Sequence, residues 1–501
     1  MITNVLQYLE AARERVPNKL AFGDEQGGLT FLELYDRARA IGSSLLKQGI
    51  CRQAVAVVMG RRADTVAAFL GAVYAGCRYV PLDPQLPPGR LHRILEALGD
   101  PPVIREDNFE ALCACPAEEA LLERQRRQHI DQDPMYQVYT SGSTGVPKGV
   151  VVSHRAVIDY AEALTAVLPV DENTVFGNQA PLSYDAFLKE LLPTLKYGAT
   201  TWILPRRLFS YPLQLTQTLV EKGIDTLCWV VPALTMISAF RTFDRCIPEQ
   251  LRLVAFAGDV FPPAQLALWR RALPNTRFFN LYGPTEATGI SGWQEVREPG
   301  PVPIGGPLPN TQVILADESG AVPEPGLPGE LYLRGSCLAL GYWGEIQGAE
   351  TGFVQNPLHR DYPDRVYKTG DLARYNSRGL LEFLGRRDQQ IKHMGHRIEL
   401  GEIETLARDL PGIVNACCLY DRARSRILLC YAGTPTPGEV TAALRQELPR
   451  YMLPARLEQL ERIPLNPNGK LDRNLLKQRF LEKEKEENHG NPDEDPAGAV
   501  S

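Results

Sequence analysis

AVAVVMGRRADTVAAFLGAVYAGCRYVPL, running from Ala54 to Leu82, decides the fold class. AVAVVM (Ala54 to Met59) is a short apolar run of the kind a buried strand needs. The stretch from Thr65 to Gly76 carries apolar residues at helical spacing, and YVPL (Tyr79 to Leu82) reads as the next strand. The alternation recurs further on, with strand candidates VVVS (Val150 to Ser153), TTWILP (Thr200 to Pro205), TLCWVV, LVAFAG and RFFNLYG. This spacing predicts βαβ units and a largely parallel sheet. The expected fold is α/β, with a large N-terminal domain of layered βαβ sheets over residues 1–387.

Outward from that pattern the texture changes. Gly and Pro thicken between Pro299 and Gly329, which predicts turns and short antiparallel strands. A new pattern starts near Asp388. EIETLARDL and GEVTAALRQEL read as helices, and VNACCLY and RILLCYA as strands, so a small α+β domain is expected over residues 388–480. The tail 481–501 is acidic and almost without apolar residues, and is expected to be disordered. At the other end, Ile2, Val5, Leu6, Leu9 and Val16 recur near helical spacing among charged residues. That is an amphipathic helix rather than a signal peptide.

At 501 residues the chain exceeds what one core usually serves. Its 44% hydrophobic and 23% charged fractions are those of a globular protein. The formal net charge of -6 argues against a surface that coats nucleic acid. No apolar run approaches the ~18 residues of a membrane span, so no membrane insertion and a cytoplasmic location are expected. The ten cysteines contain no CxxC pair and most sit in apolar runs, which predicts buried reduced thiols and no zinc site.

The strongest local signal is Tyr139-Thr140-Ser141-Gly142-Ser143-Thr144-Gly145-Val146-Pro147-Lys148-Gly149. Its glycines let successive backbone N–H groups turn towards an anion, its hydroxyls add donors, and Lys148 adds a positive charge. It is not a Walker A loop, because Pro147 precedes the lysine and Gly149 follows it.

TSGSTGVPKG resembles the phosphate-loop signature of the adenylate-forming ligases, which include the adenylation domains of nonribosomal peptide synthetases, acyl-CoA synthetases and luciferase. The resemblance runs in order through LTFLEL (Leu29 to Leu34), YAGCRYVPLD (Tyr74 to Asp83), NLYGPTEAT (Asn280 to Thr288), GELYLRG (Gly329 to Gly335) and YKTGDL (Tyr367 to Leu372). It ends in GRRDQQIKHMGHRIELGEIE (Gly385 to Glu404) and NPNGKLDR (Asn466 to Arg473). It implies ATP and Mg²⁺ as cofactors. It places the nucleotide among Thr140, Ser141, Gly142, Ser143, Thr144, Gly145, Lys148, Gly258, Asn280, Tyr282, Asp371 and Arg386. Tyr282 is then the face that stacks on adenine, and Asp371 the carboxylate that accepts the ribose hydroxyls. Arg386 supports the nucleotide; read by itself it could equally be a surface charge. Thr285 is implied at the α-phosphate, and Glu286 as the ligand of Mg²⁺, a hard cation that wants oxygen. Read alone, YGPTE could equally be an ordinary turn.

The resemblance makes Lys470 the catalytic ammonium. A carboxylate attacking an α-phosphate brings negative charges together, and a cation between them stabilises that transition state. Asp388 is implied as the hinge between the two domains.

NQAPLSYDA (Asn178 to Ala186) resembles the family's FDxS motif, with Tyr184 for Phe and Phe187 for Ser. In amino-acid-activating members the aspartate here pairs with the substrate's α-ammonium, which points to Asp185; a structural cap is its other reading. The implied pocket is Asp185, Ala186, Lys189, Trp229, Ala255, Ala257, Leu281, Gly289 and Ile290. Lys189, four residues after Asp185, shares its helix face. It either reaches the pocket and favours an acidic or hydrogen-bonding side chain, or pairs with Asp185 or snorkels to solvent. Parts of the chain also resemble D-alanine–carrier protein ligases, from which Ala257, Trp229 and Lys189 depart. The expected reaction is activation of an amino acid as aminoacyl-AMP, then transfer to a separate phosphopantetheinylated carrier protein. The alternatives are a D-alanine–carrier protein ligase of cell-wall modification and an acyl- or aryl-CoA synthetase. No carrier-like Gly-Gly-x-Ser turn follows Lys470.

Overall fold

The computed structural model describes residues 1–142, 147–317, 320, 324–344, 352–464 and 471–480. It divides into two compact units. The large one comprises Met1–Leu86, Leu91–Thr140 and Pro147–Asp388, and the small one is built mainly from the chain after Gln389.

In the large unit the strand Ala54–Val58, the helix Ala63–Tyr74 and the strand Arg78–Leu82 form as the sequence predicts. The two strands pair in parallel, Val55 beside Tyr79. All three elements are buried throughout, which is why their sequence is mostly apolar, Asp64, Thr65 and Arg78 standing at the element starts. Their six-stranded sheet adds Val103–Arg105 and Pro134–Thr140 in parallel. It closes with Lys148–Ser153 and Gly341–Tyr342, both antiparallel. The helix Phe31–Lys47 starts with a capping box between Thr30 and Glu33. It crosses the helix Ala63–Tyr74 so closely that a Cβ on Gly71 would lie 2.5 Å from the Ile41 side chain.

A second sheet of nine strands carries Thr200–Ile203, Val175–Asn178, Thr226–Val230, Leu253–Ala257 and Arg277–Tyr282 side by side in parallel. A third, antiparallel sheet holds Thr311–Ala316, Gly329–Gly335, Phe353–Gln355, Arg365–Tyr375 and Leu381–Arg386. The region rich in Gly and Pro leads into it. The mixed α/β architecture is the one expected.

The small unit pairs Gln390–His393 with His396–Glu399 as a hairpin. The helices Leu400–Arg408 and Pro437–Glu447 accompany the antiparallel strands Ile413–Asp421 and Arg426–Gly433. Ile403, Ala416, Leu429, Val440 and Leu444 form its core. Lys470 and the tail 481–501 lie outside the described residues. No described helix is long and apolar enough to cross a membrane. All ten cysteines are free thiols.

Candidate active site

The phosphate-loop segment joins two antiparallel strands. Thr140 ends one and Lys148 begins the other, the two standing opposite each other in register. Ser141 and Gly142 continue from the first strand, while Ser143, Thr144 and Gly145 lie outside the described residues. The Lys148 ammonium sits over the Tyr342 ring, 5.6 Å from its centroid. The Tyr342 hydroxyl donates to the Glu286 carboxylate at 2.7 Å. Tyr342 thus draws the loop's cation and the buried carboxylate Glu286 around one ring. The sequence reading did not single out Tyr342. Its signal is slight, since the strand Gly341–Tyr342 has only two residues.

Glu286 and Thr285 belong to the short 3-10 turn Thr285–Ala287, directly after the strand Arg277–Tyr282. Thr288 follows in the left-handed conformation at φ 59°, and its hydroxyl is anchored on the Cys337 carbonyl at 2.6 Å. Asp185 opens a second 3-10 turn, Asp185–Phe187, and comes close to this one. Burial raises the Asp185 acid above the ordinary carboxylate range. The Thr285 hydroxyl and the Lys189 ammonium oppose that, and the Glu286 carboxylate adds to it. Gly289, at φ 90°, leaves the space beside Asp185 open. A Cβ there would stand 3.4 Å from Asp185 Oδ2.

A third cluster forms on the antiparallel sheet. Asp371 and Arg386 face each other across paired strands. Arg386 donates to Asp371 and, at 3.0 Å, to the Thr369 carbonyl. It also grips Asp388 through two nitrogens at 2.7 and 2.6 Å. The Tyr282 hydroxyl donates to the other Asp371 oxygen. Residues from YGPTE, YKTGDL and GRRD therefore meet around one buried carboxylate, and Arg386 is no surface charge. Asp388, read as the hinge, is the last residue of the large unit. Asn280, on the same strand as Tyr282, donates its amide to the Pro303 carbonyl at 2.9 Å.

The pocket residues sort by strand alternation. Ala255 and Ala257 lie on one face of the parallel sheet, where Ala257 stands beside Leu281 and Val230. Ala257, Leu281 and Ile290 belong to the same core cluster. Trp229 is on the opposite face, beside Phe256, with its indole N–H donating to the Gly177 carbonyl at 2.6 Å. It packs with Phe209 and Phe256 in a different core. Val230, not Trp229, shares the strand face of Ala255 and Ala257. Gly258 follows the strand Leu253–Ala257 at φ 87°. Ala186 lies on the turn with Asp185, and Lys189 is on the helix Leu188–Tyr197, 3% exposed. Lys189 does not snorkel to solvent.

The family model described as AMP-binding enzyme matches residues 9–343. The chain belongs to the AMP-binding, adenylate-forming ligases. It is similar to a linear gramicidin synthase of Brevibacillus parabrevis, 32% identical over 493 residues that cover 94% of this chain and 9% of that protein. The chain thus spans about a tenth of the length of that curated relative. Among solved structures it resembles the Vibrio cholerae adenylation domain AlmE, in complex with glycyl-adenosine-5'-phosphate. The TM-score is 0.81 at 21% identity, over 96% of this chain and 98% of that one. It also resembles o-succinylbenzoate CoA synthetase (MenE) from Bacillus subtilis, with a TM-score of 0.80 at 22% identity, over 94% and 98% of the two chains. At these identities the structures speak for the fold. Enzymes of this family use ATP and Mg²⁺. The site fits such a pair: a carboxylate 2% exposed at Glu286, a hydroxyl at Thr285 and the loop's Lys148 are grouped as phosphate oxygens and a hard cation require.

Proposed function

We propose that this AMP-forming ligase activates an amino acid and passes it to the phosphopantetheine thiol of a separate carrier protein. The observation that carries the reading is the Asp185 carboxylate. It is set among buried groups next to Thr285 and Glu286, with the space beside it kept open by Gly289. A carboxylate so placed calls for a cationic partner, and an α-ammonium supplies one.

In this reading Asp185 fixes the α-ammonium and so orients the substrate carboxylate. That carboxylate attacks the α-phosphorus of ATP; the new P–O bond forms as the bond to pyrophosphate breaks. Thr285 and Lys148 hold the phosphate oxygens. Glu286 would hold the magnesium ion, which offsets phosphate charge when bound. Tyr282 offers its ring to adenine, with Gly258 and Asn280 alongside. Asp371, already fixed by Tyr282 and Arg386, accepts the ribose hydroxyls. Lys470 bridges carboxylate and phosphate in the first step, and Asp388 serves as the hinge between the two steps. In the second step the carrier thiolate attacks the carbonyl, a C–S bond forms and AMP leaves.

The test compares Asp185→Ala with the parent enzyme on an amino acid and on its analogue lacking the amine. The amino acid should lose at least ~100-fold in kcat/KM, because an unpaired buried charge costs ~3–5 kcal/mol. The analogue should lose far less. Equal losses would make Asp185 a structural cap. Faster thioester formation on free coenzyme A than on carrier proteins would favour the CoA synthetase reading.

A further inference from the structure

Behind Asp185 the protein gathers buried polar groups that it does not itself satisfy. Lys189 has neither a hydrogen bond nor an ion pair among the described residues, although it is 3% exposed. The Tyr136 hydroxyl is buried without a hydrogen-bond partner. So are both carboxyl oxygens of Glu190 and the side-chain nitrogen of Asn178. These residues come from three elements: Pro134–Thr140, Val175–Asn178 and Leu188–Tyr197. They are close in space. The Asp185 carboxylate acts on the Tyr136 and Tyr160 phenols, and Lys189 acts on Asp185, Glu190 and the Cys228 thiol. Cys228 stands beside Ala255 on the pocket face of the sheet.

A structural account of Lys189 would need a partner, and neither neighbouring carboxylate is within ion-pair distance. Arg61 shows what a satisfied cation looks like in this fold. Its guanidinium donates to the carbonyls of Leu204, Gln179, Ala180 and Asn178 and to Asn178 Oδ1. An interior ammonium without such partners is costly to keep. The Tyr136 phenol, within electrostatic reach of the same Asp185 carboxylate, is a second buried donor that the protein leaves unanswered.

We infer that Lys189 and Tyr136 form the side-chain end of the substrate pocket and select an amino acid whose side chain ends in a carboxylate. The inference rests on the amino-acid reading above. Asp185 takes the α-ammonium, so the far end of the substrate meets Lys189, and a carboxylate there accepts from both the ammonium and the phenol. Ala186 and Ala257 leave room for the side chain between. Glu190 does not cancel the charge of Lys189, because burial pushes its acid up to about 8, so it is protonated at neutral pH.

The experiment is amino-acid-dependent ATP–pyrophosphate exchange by the full chain at pH 7, comparing glutamate with glutamine and aspartate with asparagine. One acid should exceed its amide by roughly 10- to 100-fold in kcat/KM, the span of a hydrogen bond to a charged group. Lys189→Met should collapse that ratio, and Tyr136→Phe should reduce it. The ratio reports selectivity even if a variant folds poorly. A substrate with an apolar or cationic side chain as the best one, or an unchanged ratio in both variants, overturns the inference while leaving amino-acid activation intact. Exchange with non-amino carboxylic acids alone would sink the amino-acid reading, and this inference with it.

Discussion

Replacing Glu190 with Gln should remove a pH-dependent loss of stability. Glu190 is fully buried on the helix Leu188–Tyr197, and neither oxygen has a hydrogen bond. Burial is the main reason its acid is pushed up to about 8 from an ordinary 4.5. Lys189, the Asn178 amide and Arg61 pull the other way. In the unfolded chain the group ionises near 4.5, while in the folded protein it keeps its proton until about 8. Between those values the native state holds the extra proton, so stability falls as pH rises, by ~1.4 kcal/mol per pH unit. From pH 6 to pH 9 the loss amounts to roughly 2–3 kcal/mol, levelling off once the folded group has ionised. Glutamine has the same shape and no proton to lose. Urea unfolding of parent and Glu190→Gln at pH 6 and pH 9, followed by tryptophan fluorescence, reads the difference. Trp229 and Trp269 are both fully buried in this unit and report its unfolding. The gap between the two proteins should widen by roughly that amount in favour of the variant at pH 9. Parallel pH profiles would show that Glu190 is ionised in the folded protein, and the charge assignment of the pocket would fall.

Asp371→Asn should raise the KM for ATP by about 10-fold or more, since it weakens the acceptor that Tyr282 and Arg386 hold in place; a saturation curve for ATP checks it. Tyr342→Phe should weaken Mg²⁺-dependent activity by about 3- to 10-fold, because Glu286 loses a hydroxyl donor at 2.7 Å; a magnesium titration at fixed ATP shows whether the loss lies there. Gly289→Val should abolish amino-acid binding while leaving ATP binding in place, because φ 90° strains a branched residue and its methyl groups fill the space beside Asp185; binding isotherms for the two substrates separate these effects.

Much of the α/β architecture was legible because the buried parallel strands are short, apolar and separated by helical patterns. That same uniformity hid which face each strand residue takes. TLCWVV is apolar at every position, so nothing in it places Trp229 behind the sheet and Val230 in front. Register with Leu253–Ala257 does so. The phosphate-loop segment was readable from its glycines and hydroxyls. Tyr342 was not, because a two-residue strand has no periodicity. The Tyr282–Asp371–Arg386 cluster was readable only motif by motif, its members being far apart in sequence. For Lys189 the sequence offered pocket, ion pair or solvent. In the structure Lys189 is buried and has no ion pair among the described residues.

The central claim is that this chain forms an adenylate on an amino acid. Exchange of labelled pyrophosphate into ATP, with Mg²⁺ present and each amino acid or simple carboxylic acid supplied in turn, measures that step alone. Exchange is expected with an amino acid, little with its analogue lacking the amine, and none after Lys470→Ala. Exchange supported only by fatty or aryl acids, or undiminished in Lys470→Ala, would contradict it.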